Sequence, residues 1–427
     1  MKTLTEGLLA TLVLTCCSGP ATALAALSAQ EQQIADYAAG HTDDAIGVLQ
    51  RIVDIDSPTE NVDGVRQVGA VMKGEFEALG MTTRWIDMPA EMKRAGHLVA
   101  ETRGTQGKRV LMIGHIDTVL SGERFRREGD KAFGSGASDM KSGVVVLLYA
   151  LKALHSVGAL DDARIVVMLT GDEEDAGMPY DVSRGDLVTL ARASDLALSF
   201  EATIRNTATV GRRGASSWNI EVDGATGHSG GIFDKDSGAG AIFQAARIID
   251  DFYRSLRGER YLTFNPSVIV GGTQASLDDA TGTATGKSNV IPAKVLIMGD
   301  LRYISARQES AVRAKMSRIV ARNLPKTSAH IEFHEGYPAM TPTKGNYALL
   351  AKLNAVSKEL GAGTVEALDP ADRGAGDIGF IAPLLPSLDG IGGASGDNAH
   401  APGEWTNLEP LPRLIQRSAV LLYRLTR

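Results

Sequence analysis

Residues 163–169 read Ala-Arg-Ile-Val-Val-Met-Leu, a run that is apolar at nearly every position. A strand with one wet face alternates apolar and polar residues, so a run without alternation must be covered on both sides. The surrounding sequence supplies the cover. Apolar residues recur at three- and four-residue spacing over 29–55, 65–79 and 139–157, the pattern of amphipathic helices, whereas 83–88, 97–102 and 109–113 are short and β-rich. Strands alternating with helices predict an α/β sandwich. With 427 residues, one core would be unusually large, so two domains are expected. The texture changes near Gly211: strand 216–222, helix 238–256, strands 261–270 and 289–303, helix 306–324 and strand 331–334 follow one another. That β-α-β-β-α-β order predicts an inserted ferredoxin-like α+β layer over 211–334. The first texture resumes with helix 347–360, a buried turn-rich stretch over 374–396 and helix 410–425. The main domain is thus expected to be discontinuous, 30–210 and 335–427.

The first 25 residues stand apart. Met1-Lys2 gives a positive start, residues 8–15 are apolar, and Ala23-Leu24-Ala25 is a small-x-small cleavage site, which together predict a signal peptide over 1–25 and export to the periplasm or medium. An uncleaved buried helix, or a lipid anchor at Cys16, is the alternative. Cys16 and Cys17 are the chain's two cysteines, so the mature protein would hold no disulfide and no thiol nucleophile. A net charge of −7 without a run of lysines or arginines, and an aromatic content of 5%, exclude a nucleic-acid partner. No stretch reads as a membrane span. The 47 glycines are scattered without a period, which excludes a solenoid or a low-complexity linker.

Acids and histidines gather where strands are expected to end: Gly114-His115-Ile-Asp117, Gly136-Ala-Ser-Asp139-Met-Lys-Ser-Gly143, Gly171-Asp-Glu173-Glu174, Ser199-Phe-Glu201 and Ala399-His400-Ala-Pro-Gly-Glu404. The carboxyl ends of strands are where open α/β sheets build sites. Oxygen and imidazole groups without cysteine suit a catalytic rather than a structural zinc site. Each element has an ordinary reading as well. His115 and Asp117 could be a satisfied polar pair, Glu173 and Glu174 a solvated turn, Asp139 the N-cap of the helix after it, and His400 part of a surface loop. Glu201 is harder to dismiss, since a carboxylate ending an apolar strand is costly without a partner. Their joint occurrence favours one site.

In order, H-x-D, G-x-x-D-M-K-x-G, G-D-E-E, a lone acid one strand later and A-H-x-P-x-E resemble the dinuclear zinc hydrolases that include aminoacylase, carboxypeptidase G (glutamate carboxypeptidase), acetylornithine deacetylase and succinyl-diaminopimelate desuccinylase. The resemblance implies two Zn2+ per subunit, with Co2+ or Mn2+ as substitutes. Asp139 would bridge them, His115 and Glu201 completing one site and Glu174 and His400 the other, with a cis peptide between Asp139 and Met140. Asp117 would hold His115 by its far ring nitrogen. Glu173, kept off the metals but within reach of the attacking water, would be the general base. The inserted unit would be a lid and dimerisation domain, its His228 reaching across a homodimer to the oxyanion. Asn289 and Arg302 match substrate-binding positions, Arg302 clamping a carboxylate unless it merely pairs with Asp300 or Glu309, and Gly376 lies in a loop suited to contact the substrate backbone. The expected substrate is a small peptide or N-acyl amino acid, cleaved at an amide next to a free carboxylate, with C-terminal glutamate the leading guess. An aminoacylase-type deacylase and an inactive metal-dependent peptide-binding protein are the alternatives.

Overall fold

The computed structural model describes residues 26–278 and 281–427. The expected leader and both cysteines lie outside the described residues. A six-stranded sheet runs in the order Thr82–Ile86, His97–Glu101, Ala163–Thr170, Gln106–His115, Leu196–Ser199, Ser387–Leu388. The first two strands are antiparallel to their neighbours and the last four are mutually parallel. The unbroken apolar run behaves as its composition demands: Ile165, Val167 and Leu169 enter one core, and Val166 and Met168 the core on the opposite face. Helices Ala29–Gly40, Thr42–Val53, Ser142–His155 and Leu411–Leu425 contribute to the first core, Gly185–Arg192 and Ile378–Ile381 to the second.

The chain from Gly214 to His334 forms a second body with its own core. Its sheet runs Thr263–Gly272, Lys294–Tyr303, Gly214–Gly224, Thr327–His334, all antiparallel. Strand Gly214–Gly224 alternates strictly, so Trp218, Ile220 and Val222 face inward. They meet Ala241, Ala245, Ile248 and Phe252 of helix Gly240–Leu256, spaced to form one stripe, and Val312 and Met316 of helix Ala306–Val320. The protein is therefore an α/β catalytic sandwich with an inserted ferredoxin-like α+β domain.

Several elements differ from the sequence expectation. The single helix expected over 29–55 is two, broken at His41, whose ring stacks on Tyr37 at 3.8 Å and whose Nδ1 lies 2.8 Å from the Tyr37 carbonyl oxygen. A hairpin, Gln274–Leu277 with Gly282–Thr285, stands in the inserted unit between the two strands expected there. A small four-stranded sheet, Ala394–Ser395, Trp405–Asn407, Lys131–Phe133 and Arg126–Glu128, was not expected either. It braces the segment that carries His400. No helix among the described residues is long and apolar enough to cross a membrane.

Candidate metal centre

The parallel register determines where the acids and imidazoles meet. His115, the last residue of its strand, pairs with Thr170, and Ile113 pairs with Ser199. Three chain segments therefore leave the same sheet edge, carrying Asp117, Asp172 to Glu174, and Glu201. The segment 137–141 joins them. A Cβ on Gly143 would stand 1.8 Å from the Phe200 carbonyl oxygen, so only glycine lets this chain approach the strand end that precedes Glu201. Asp139 has an extended backbone, φ −117° and ψ 97°, and its peptide to Met140 is cis. It does not cap the following helix, which begins at Ser142 rather than at 139. His400 has its backbone in the left-handed region, φ 64°.

Asp139 is the centre of the cluster. Its Oδ1 lies 3.2 Å from Nε2 of His115, and its Oδ2 lies 3.1 Å from Nε2 of His400. Glu201 Oε1 is 3.8 Å from His115 Nε2, and Glu174 Oε2 is 3.2 Å from His400 Nε2. Glu173 Oε2 stands 4.0 Å from His115 Nε2. Ligand atoms of His115, Asp139 and Glu201 lie within 4.8 Å of one another, as do those of Asp139, Glu174 and His400, and the two groups share only Asp139.

The donor set fits two divalent cations. Four carboxylates, of Asp139, Glu173, Glu174 and Glu201, converge on two imidazoles, and Oε1 of Glu174 is buried with no hydrogen-bond partner. Burial and the neighbouring acids push Glu201 up to about 7, and burial first, then the acids around it, raise Glu173 well above the carboxylate range. The imidazoles respond in kind. Hydrogen bonds to Asp139 and Glu174 raise His400 to about 10, and although burial disfavours a charged His115, its bonds to Asp117 and Asp139 raise it well above its ordinary value. Such crowding of like charge is what a multivalent cation relieves.

Asp117 meets the far ring nitrogen of His115 with two of its oxygens. His115 Nδ1 lies 3.1 Å from the main-chain oxygen of Asp117 and 3.4 Å from its Oδ1. The carboxylate also accepts the Glu173 and Glu174 N–H groups, each at 3.0 Å, and the Thr59 hydroxyl at 2.7 Å. It therefore holds the turn that presents both glutamates. Arg302 pairs with Asp300, Nε to Oδ2 at 2.9 Å, on the strand they share. His228 is exposed; its Nδ1 accepts the Gly230 N–H at 3.1 Å, and the adjacent Ser229 N–H donates to the Asn289 carbonyl oxygen at 2.9 Å. Both His228 and Asn289 thus lie together on the inserted domain, outside the cluster around Asp139. Gly376 is buried against the guanidinium of Arg212.

Three supports had escaped the sequence. Glu404 accepts the N–H groups of Gly136, Ser138 and Asp139 at 2.9, 2.8 and 2.9 Å, fixing the loop that presents Asp139. Buried Arg184 binds Asp172 at 2.7 Å and Asp377 at 2.6 Å. Buried Arg212 binds Asp389 at 2.9 Å and lies 3.9 Å from Glu201. Glu404 was visible inside the A-H-x-P-x-E motif but without a role; the two arginines carry no local signal, since their partners are more than a strand away or far along the chain.

A sequence model of peptidase family M20/M25/M40 matches residues 111–424. Carboxypeptidase G2 of a Pseudomonas species is 29% identical over 399 residues, 88% of each chain. Succinyl-diaminopimelate desuccinylase of Nitrosospira multiformis is 24% identical over 405 residues, 87% of this chain and 97% of that one. Among solved structures, a dinuclear metal-binding peptidase from Bacillus subtilis superposes with a TM-score of 0.64 at 15% identity, covering 90% of this chain and 98% of that one. With the family match spanning most of its length, this chain belongs to the M20/M25/M40 peptidase family and is a hydrolase of that family.

Proposed function

We propose that the protein is a dinuclear zinc hydrolase that cleaves an amide bond beside a free carboxylate and releases a C-terminal amino acid, with glutamate the leading candidate. The observation that carries the reading is the placement of Asp139, one oxygen toward His115 and the other toward His400, with Glu201 and Glu174 flanking. His115, Asp139 and Glu201 would hold one ion, and Asp139, Glu174 and His400 the second. Bound there, the pair of ions would polarise the scissile carbonyl and make water nucleophilic near neutral pH.

The chain's own residues do the rest. Glu173 sits beside the cluster with its amide fixed by Asp117. It takes the proton of the attacking water as the oxygen adds to the carbonyl carbon, then gives that proton to the amine nitrogen as the C–N bond breaks. His228 of a second copy would donate to the developing oxyanion, while Asn289, Arg302 and the backbone at Gly376 would bind the substrate. Arg302 can serve only by exchanging its Asp300 partner for the substrate carboxylate, a trade that a half-exposed pair makes at little cost.

The homodimer in this reading forms through the inserted domain, which exposes Phe233, Ile242, Phe243, Tyr253 and Ile269. Sedimentation at dilute and concentrated protein tests it. Export rests on the leader, and N-terminal sequencing of the mature protein tests that. We take 30–210 with 335–427 as the catalytic domain and 211–334 as the insert.

Metal analysis and a substrate panel, before and after chelation, test the main reading. Two zinc ions per chain and hydrolysis only of substrates with a free carboxylate are expected; equal turnover without the carboxylate would remove the role of Arg302. The desuccinylase relative favours a second reading, an N-acyl-amino-acid deacylase. Specificity that follows the acyl group rather than the released amino acid would select it. A binding protein without chemistry is tested by Glu173→Ala, which should keep zinc and ligand and abolish turnover.

A further inference from the structure

The chain crosses between the catalytic sandwich and the inserted domain twice, at 211–214 and at 335–340. The crossings lie side by side. Arg212 and Met340 exchange backbone hydrogen bonds of 3.0 Å, and the Ala215 N–H donates to the Tyr337 carbonyl oxygen at 2.9 Å. A Cβ on Gly336 would stand 2.1 Å from the Ala215 carbonyl oxygen, so the two strands touch backbone to backbone. Any change in the angle between the domains must be absorbed here.

Each crossing also sends a side chain to the sheet edge where the acids collect. Arg212 reaches Asp389, the Gly374 and Ala375 carbonyl oxygens, and the neighbourhood of Glu201. Tyr337 reaches further still: its hydroxyl donates to the main-chain carbonyl oxygen of Glu173. The Tyr337 ring is gripped by Tyr180 and Phe380, at centroid separations of 5.9 and 5.4 Å, which are themselves 5.4 Å apart.

We propose that Tyr337 is a positioning residue through which the junction between the domains sets the placement of Glu173. The inference rests on Glu173 being the base. Two backbone groups flank the Glu173 side chain and both are held, the N–H by Asp117 at 3.0 Å and the carbonyl by Tyr337. With both fixed, the direction of the Cα–Cβ bond is fixed. The two anchors differ in what holds them. Asp117 follows a strand of the central sheet, whereas Tyr337 sits in the crossing, its main-chain carbonyl bonded to Ala215 of the inserted domain and its ring seated against Tyr180 and Phe380 of the sandwich. Rotating the inserted domain shifts the carbonyl anchor while the amide anchor stays, and so turns the Glu173 carboxylate. The base is thereby aligned at one inter-domain angle and misaligned at others.

Tyr337→Phe removes one hydroxyl and keeps the ring cluster. In the zinc-loaded full chain acting on an N-acyl glutamate, or on whichever panel substrate is turned over, kcat should fall about tenfold, the worth of one hydrogen bond that aligns the base. KM and zinc content should stay as in the parent. Tyr180→Phe, which alters the same cluster but not this bond, should leave kcat unchanged. In a Glu173→Gln background, Tyr337→Phe should cost nothing further. A full tenfold loss in that background, a loss carried by KM or by zinc content, an equal loss in Tyr180→Phe, or no loss at all overturns the proposal. An active Glu173→Gln enzyme overturns the base assignment, and the proposal with it; an inactive one beside an unaffected Tyr337→Phe overturns the proposal alone.

Discussion

Replacing Glu404 by glutamine should loosen the loop that presents Asp139, and the size of the effect follows from the acceptor count. Glu404 Oε1 accepts two N–H groups, from Ser138 and Asp139, and Oε2 accepts a third from Gly136. Glutamine has one oxygen. Its amide nitrogen must therefore face at least one N–H, which loses one bond to a charged acceptor, about 1.5–3 kcal/mol, and weakens the other two by about 0.5–1 kcal/mol each. Against this stands the cost of burying the charge, visible in the upward push that burial gives the Glu404 carboxyl, and its removal offsets part of that loss. The hydrogen-bond loss, about 2.5–5 kcal/mol in all, wins, leaving a net destabilisation on the order of 2 kcal/mol, a large part of the ~5–15 kcal/mol that holds a typical domain. Because the lost bonds end on residues 136–139, the damage falls on the metal site, where an outer partner of a ligand is commonly worth about 10- to 100-fold in affinity. Urea unfolding and a chelator titration of Glu404→Gln read both effects. A variant with the parent's urea midpoint and the parent's resistance to chelation would refute the reasoning.

Two further predictions concern stability. The Arg424 guanidinium hydrogen-bonds Glu31 at 2.6 Å and holds its carboxyl below the ordinary 4.5, so the folded protein binds fewer protons here than the unfolded chain. The stability this pair contributes is full above that ordinary value and is lost as pH falls through the depressed folded value; Glu31→Gln should cost about 1 kcal/mol at pH 7 and nothing once the carboxyl is protonated, as urea midpoints across pH 3–7 would read. Trp218, fully buried in the separate core of the inserted domain and donating to the Asp300 carbonyl oxygen at 3.0 Å, should cost about 3–5 kcal/mol on truncation to alanine, with new protease cleavage confined to 211–334.

Residue chemistry made much of the fold and the candidate site legible. The apolar run at 163–169 required two covered faces, and hard ligands at strand ends required a common edge, because parallel strands in register bring their ends together. The supports were not legible, for a physical reason. Glu404 and Tyr337 act on backbone atoms, as Arg212 does in part, and backbone is the same in every sequence; what they hold lies 265, 164 and 162 residues away. The break at His41 was hidden because apolar spacing continues through it into the next helix. The hairpin of Gln274–Leu277 with Gly282–Thr285 was hidden because Ser276, Gly282 and the threonines give no apolar alternation, its pairing being supplied by the partner strand rather than by an apolar face. Asp139 looked like a helix cap because aspartate favours that position, yet the helix starts three residues later and leaves the carboxylate for the cluster.

The account depends on Asp139 joining two cations, and diffraction from zinc-loaded crystals at the zinc absorption edge measures this directly. Two anomalous peaks about 3.5–4 Å apart are predicted, each against a different oxygen of Asp139, one beside His115 and Glu201 and the other beside Glu174 and His400. A single peak, or two peaks that do not share Asp139, would contradict it.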